Sequence, residues 1–219
     1  MLTKASNNFI QVVSCNTHNI CSILKSLSPN FDRIVDADFV CIRRANDISQ
    51  NGSFIASPEV GSHKDSTFGT HHAADASRVL NTMHHYLPLY SSAMKVNSQY
   101  MHTIRFNVTV KGYEDKETIM NKFKENPFVA LTHKNLANKV FSFGRDHGYY
   151  GRIYNHTVVS IPSIQATSTG KGTKISGFCF TPQDGNSLLS SVATALYGLH
   201  GDSYKTYMNL FNSMLFPEI

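Results

Sequence analysis

Cys15 is the residue whose setting best suits nucleophilic chemistry. Phe9-Ile10-Gln11-Val12-Val13 reads as a short apolar strand. From Ser14 onward the pattern changes to a helix, with Ile20, Ile23, Leu24 and Leu27 at i, i+3, i+4 and i+7. A thiol at that junction meets unpaired N–H groups and the positive end of the helix dipole, and both favour the thiolate. Thr17 could turn its hydroxyl and N–H toward a bound anion. The same position also suits a structural cysteine, because free Cys is among the most buried residue types.

Three other places carry groups that could join such a thiol. Asp38-Phe39-Val40-Cys41-Ile42-Arg43-Arg44 reads as a buried strand ending in two arginines. Such a pair suits bidentate capture of phosphate or carboxylate, and equally an exposed strand exit. Thr70-His71-His72 leads into a helix that the pattern carries to about Tyr86. His72 falls near its N-terminus, Asp75 could cap its first turn, and His84-His85 near its other end would complement the dipole. The i, i+1 spacing of both histidine pairs does not face one side of a helix, so no metal site is expected. His102 opens a strand from Tyr100 to Lys111, in phase with the apolar Ile104 and Phe106. It is either a satisfied core histidine or a base aimed inward at Cys15.

The remaining elements must hold these groups in place. Residues 46–70 are polar and irregular, and a loop this long inside a compact domain tends to be functional. Ala93 to Val96 reads as a strand, and Glu114 to Glu125 as an amphipathic helix stopped by Asn126-Pro127. Phe128 to Leu131 is a strand, 132–151 a loop or short helix, and Arg152 to Ile161 a strand ended by Pro162. Ser163 to Gly172 reads as a hairpin tip, Thr173 to Thr181 as the returning strand, and Ser187–Tyr197 and Ser203–Leu215 as closing helices. Strands outnumber helices and do not alternate strictly with them. The expectation is one α+β domain over 1–219, with helices packed on one face of a mainly antiparallel sheet.

Composition narrows the function classes. The 219 residues are 41% hydrophobic and 16% charged, enough for a sizeable core and against global disorder. The formal net charge of +5 is spread along the chain, so a duplex-binding stripe is not indicated and no specific nucleic-acid partner is expected. The four cysteines form no C-x-x-C pair, which favours a reducing compartment; with no signal-peptide core at the start, a cytoplasmic location is expected. No run approaches a membrane span. The sequons at Asn107 and Asn155 fall in predicted strands and carry no glycosylation expectation. No G-x-G-x-x-G or Walker sequence occurs, and Gly170-Lys171-Gly172-Thr173 should simply join two strands.

Four motifs in order then add a resemblance. Val12-Val13-Ser14-Cys15-Asn16-Thr17, Ile42-Arg43-Arg44-Ala45-Asn46-Asp47, His71-His72-Ala73-Ala74-Asp75 and Tyr100-Met101-His102-Thr103 resemble the catalytic domain of archaeal-type (type II) glyceraldehyde-3-phosphate dehydrogenases. That family runs V-V-S-C-N-T-T, R-R-x-A-D-P, H-H-x-P-D-V and L-M-H. The likeness covers nearly the whole chain. It implies Cys15 as the nucleophile that adds to an aldehyde and His102 as the general base. It places Asn16, Thr17, Arg43, Arg44, His71 and His72 in the region that binds substrate phosphate and inorganic phosphate. The sequence departs from the family pattern at His18, at Ile48 and at Asn97-Ser98-Gln99.

Family members carry a nucleotide-binding Rossmann domain ahead of the cysteine, and here about a dozen residues precede it. The chain alone is therefore expected to bind no cofactor, and NAD(P) only if a separate nucleotide-binding domain associates. The leading expectation is a catalytic half acting on a phosphorylated small molecule, with a Rossmann-domain chain as partner. The alternatives are a non-catalytic, oligomerising protein that reuses the fold, and cofactor-free acyl transfer by the Cys15/His102 pair. A homo-oligomer is expected, because the face left by the absent domain would favour assembly.

Overall fold

The computed structural model describes residues 9–46, 52 and 54–219. Ile48, one of the departures from the family pattern, lies outside them. The framework is an eight-stranded mixed sheet whose central strands are long and whose margins are short. In chain order the strands are β1 (Ile34–Arg43), β2 (Glu59–Val60), β3 (Leu89–Lys95), β4 (His102–Val110), β5 (Val129–Thr132), β6 (Thr157–Ser160), β7 (Gln165–Thr169) and β8 (Gly172–Thr181). Their spatial order is β2-β3-β1-β4-β8-β6-β5, with β7 also pairing β8. β1 runs parallel to β3 and β6 parallel to β5, while the other pairings are antiparallel. Each parallel pair needs a crossover, and helices α2 (His71–Asn81) and α4 (Ala137–His147) lie in those two connections.

Helix α1 (Cys15–Leu27) shows how the pattern becomes packing. Ile20, Ile23, Leu24 and Leu27, spaced along one face, are all fully buried. They join Phe39 and Cys41 of β1, Ile104, Phe106 and Val108 of β4, and Ile175 and Cys179 of β8 in one core cluster. Ala73, Ala76 and Leu80 of α2 and Ile119 and Phe123 of α3 (Lys116–Lys124) complete that layer. α3 starts two residues after Glu114, because Asp115 is its N-cap and accepts from the Thr118 N–H at 2.8 Å. Glu114 is buried instead, and both Arg33 (2.6 Å) and Lys122 pair with it.

A second cluster occupies the other face at one end of the sheet. Val140 of α4 packs with Ala130, Val158 and Phe180, whereas the neighbouring Leu131 and Val159 belong to the first cluster. Successive strand residues point to opposite faces, so helices flank both sides of the sheet there rather than one. β5 and β6 are accordingly buried on both faces. The chain end docks on β5: Ile219 N–H donates to the Leu131 carbonyl at 2.8 Å, and Thr132 Oγ1 donates to the Ile219 carbonyl.

Several sequence expectations change in detail. Phe9 to Val13 is not a strand; Phe9 is 92% exposed, and the segment pairs with no strand among the described residues. β-branched propensity needs an edge to pair with, and β2 and the docked chain end already sit at the two margins. α2 stops at Asn81, so His84 and His85 lie in a turn, with His84 at φ 61°. The strand expected over 152–161 is only Thr157–Ser160, and Gln165–Thr169 of the supposed hairpin tip is itself strand β7. The last helix is likewise shorter. After α5 (Leu188–His200) comes α6 (Tyr204–Met208), and the chain then tightens into a 3-10 segment, Asn209–Met214.

Candidate functional site

Cys15 is the first residue of α1 and is partly exposed. Ser14 caps the helix: its Oγ accepts from the Thr17 N–H at 3.4 Å and shares a 2.9 Å hydrogen bond with the Thr17 hydroxyl. Thr17 is fully buried, so its hydroxyl and N–H serve the cap and do not face a ligand. Asn16 is also buried, and its Oδ1 lacks a hydrogen-bond partner among the described residues. From the far side, Asn186 donates to the Cys15 carbonyl at 2.9 Å and to the His156 carbonyl at 3.0 Å, tying the turn to the β8–α5 connection.

β1 ends at Arg43. Arg43 lies two residues beyond Cys41 and therefore on the same face of the strand. Burial pushes the Cys41 thiol up, Cys179 and Cys15 add to that, and Arg43 opposes it. Cys15 and Arg43 are thus both within electrostatic reach of one buried sulfur. Arg44 turns the other way. Its guanidinium donates to the Tyr100 carbonyl at 3.3 Å and lies 3.7 Å from Asp184.

α2 and β4 supply the histidines. His72 is 3% exposed, and neither ring nitrogen has a hydrogen-bond partner among the described residues. Burial holds it down to about 3, and His71, Arg43 and His102 add to the depression. His71 is exposed, its ring 4.0 Å from that of His72 between centroids. His102 opens β4 and is buried, in phase with Ile104 and Phe106. Its Nδ1 accepts from the Arg44 backbone N–H at 3.0 Å, and its Nε2 lies 2.9 Å from Gln183 Nε2. Arg43 is therefore common to both: it acts on the Cys41 thiol and, together with His102, on His72.

Gln183, Asp184 and Asn186 were not singled out by sequence reasoning. They follow Pro182 directly after β8, and the β4–β8 register sets Thr181 opposite His102. A polar Gln-Asp-Gly-Asn run leaving a buried strand was the available signal. No group of His, Cys, Asp or Glu among the described residues could hold a metal ion. No helix among them is long and apolar enough to cross a membrane.

The structure thus has a partly exposed thiol at a helix N-terminus on an α+β fold. No family model matches the chain. It is similar to the glyceraldehyde-3-phosphate dehydrogenase of Sulfolobus acidocaldarius, 27% identical over 169 residues, which is 73% of this chain and 46% of that protein. The enzyme of the same name from Methanocaldococcus jannaschii is 27% identical over 161 residues, 72% of this chain and 46% of the relative. That of Methanoregula boonei is 27% identical over 132 residues, 60% and 36% respectively. The chain spans less than half the length of these relatives. Together they support a glyceraldehyde-3-phosphate dehydrogenase-like domain.

Proposed function

We propose that this chain is the catalytic half of an archaeal-type glyceraldehyde-3-phosphate dehydrogenase-like enzyme, with Cys15 adding to the aldehyde of a phosphorylated substrate. What supports the reading is the partly exposed Cys15 at the N-terminus of α1, together with Arg43, which acts with Cys15 on the Cys41 thiol and with His102 on His72. In the step it supports, the Cys15 sulfur forms a bond to the aldehyde carbon and the C=O π pair moves onto oxygen. The proton that leaves sulfur passes to that oxygen by way of His102. Arg43 meets the substrate's negative charge, with His71 and the α1 N-terminus beside it.

The residues present do not fit a dinucleotide. The sequence has no G-x-G-x-x-G, and Gly170-Lys171 is the tip between β7 and β8. The chemistry assigned to this chain therefore stops at the thiohemiacetal, and oxidation belongs to a nucleotide domain supplied from elsewhere. Such a domain, a phosphorylated small molecule or inorganic phosphate, and further copies of the chain are the proposed partners, in a reducing cytoplasm.

A second reading is favoured by one observation. α5 is apolar around most of its circumference, yet only Leu189 is buried, while Leu188 and Leu199 are exposed. A non-catalytic oligomerising role accounts for that helix without any chemistry.

Protection of Cys15 separates the two. Glyceraldehyde 3-phosphate should shield Cys15 from iodoacetamide and leave the labelling of Cys21 unchanged, as read by peptide mass spectrometry. Discrete homo-oligomers with no protection at millimolar substrate would overturn the catalytic reading.

A further inference from the structure

α1 carries a second stripe besides the one that faces the sheet. His18, Cys21, Ser22, Lys25 and Ser26 fall at i, i+3, i+4, i+7 and i+8 and line a cavity of about 550 Å³. At 1.5 Å per residue the stripe runs about 12 Å. Val79 and Met83 at the end of α2 line the same cavity, with Phe31 and Phe128. Its volume is that of a site for a small organic ligand, and its extension along one helix suits a linear one.

The polar atoms along the stripe are already engaged. His18 bonds the Ser14 carbonyl at 2.9 Å and the Ser190 hydroxyl at 2.8 Å. The Ser22 hydroxyl lies 2.8 Å from His156 Nδ1. The Ser26 hydroxyl donates to the Ser22 carbonyl at 2.8 Å and accepts from Asn126 Nδ2 at 2.9 Å. His156 Nε2 is buried, and burial lowers both imidazoles, so neither carries charge at neutral pH. Such a surface offers little to a polyhydroxy ligand, whereas an apolar chain leaves no polar group newly unpaired on it.

Charge stands toward one end of the cavity. Of its lysines, Lys122 pairs with the buried Glu114. Lys25 is exposed; its Nζ donates to the Pro29 carbonyl at 2.6 Å and lies 5.5 Å from the Phe31 ring. Among the described residues no carboxylate is within ion-pair distance of Lys25, and Glu125 on the same rim pairs with neither lysine. An ammonium has three donors, so Lys25 can hold the Pro29 carbonyl and still meet an anion.

We propose that this cavity binds a medium-chain fatty carboxylate, its chain lying along α1 and its carboxylate meeting Lys25. Cys15 does not line the cavity, and the inference is independent of the catalytic reading.

The test is titration of the full chain with octanoate and with octanol, both below self-association, followed by calorimetry and by the methionine methyl signals in NMR. Both ligands should shift Met83 and leave Met94, on β3, in place. Lys25→Glu, at an exposed position, should weaken octanoate about tenfold and leave octanol within twofold. Val79→Trp, which fills the cavity from α2, should abolish binding of both, with thermal unfolding checking that the variant folds. An unmoved Met83 signal, or an equal response of the two ligands to Lys25→Glu, would overturn the proposal. None of these readouts involves aldehyde or Cys15, so a failure of the catalytic reading would not mimic this result.

Discussion

Two groups of histidines pack in the structure, and burial depresses members of each. In one, His71, Arg43 and His102 act on the buried His72. In the other, on the flank of α1, His18 and His156 meet edge to face at 4.9 Å, and His156 stacks on Phe128. Burial lowers His18 and takes His156 down to about 3, close to the value for His72. Their company differs. His18 bonds the Ser14 carbonyl and the Ser190 hydroxyl, and His156 bonds the Ser22 hydroxyl, so this pair ties α1 to α5 and to the turn before β6. It borders a cavity of about 550 Å³ walled by Phe31, Val79, Met83 and Phe128. A depressed histidine therefore does not by itself mark a reactive site.

The sharpest way to break that contrast is to compare thiols on the two sides. Burial pushes Cys21, on the cavity side, up to about 12, so at neutral pH its thiolate is scarce. Cys15 should be alkylated about a thousandfold faster than Cys21, as resolved by timed quenching and mass spectrometry. Equal rates would erase the distinction between the regions. Next in size, His102→Asn should slow Cys15 alkylation about tenfold to a hundredfold, whereas His156→Asn should leave it within twofold.

Acid unfolding tests the feature the clusters share. The folded-state values of His72 and His156 lie below the unfolded value of 6.5, so the unfolded chain binds more protons as pH falls. Their contribution to stability is complete above about pH 6.5 and is lost progressively toward pH 3. Urea midpoints should fall across that window, and either His72→Phe or His156→Phe should flatten the slope. The smallest effect is expected at Ser190→Ala, which removes one hydrogen bond to His18 and should cost about 1 kcal/mol in chemical denaturation without changing Cys15 reactivity.

How much could be read beforehand depends on the range of the forces involved. α1, β1, β4 and β8 were legible because strong local periodicity and deep burial coincide there, as at Ile20 to Leu27 and Ile104 to Val110. β7 was missed because Gln165–Thr169 is polar and mostly exposed, and only pairing with β8 makes it a strand. α4 was left open between loop and helix because its buried side is only Val140 and Gly144. Cys15, Arg43, His72 and His102 were singled out from residue type, position and resemblance. Gln183 was not, because its contact with His102 depends on the β4–β8 register, which is set some 80 residues away in sequence.

The order in which the strands leave the ribosome has a consequence of its own. α1 is synthesised first, but its apolar stripe is covered partly by β8, which ends at Thr181. The segment that braces the Cys15 turn and touches His102, residues 183–186, emerges later still. Such distant pairing is slow to close, so the nascent chain must carry an oily helix and an unbraced thiol until residues 183–186 have emerged. Truncated or stalled chains should consequently be the forms most exposed to aggregation and to adventitious oxidation.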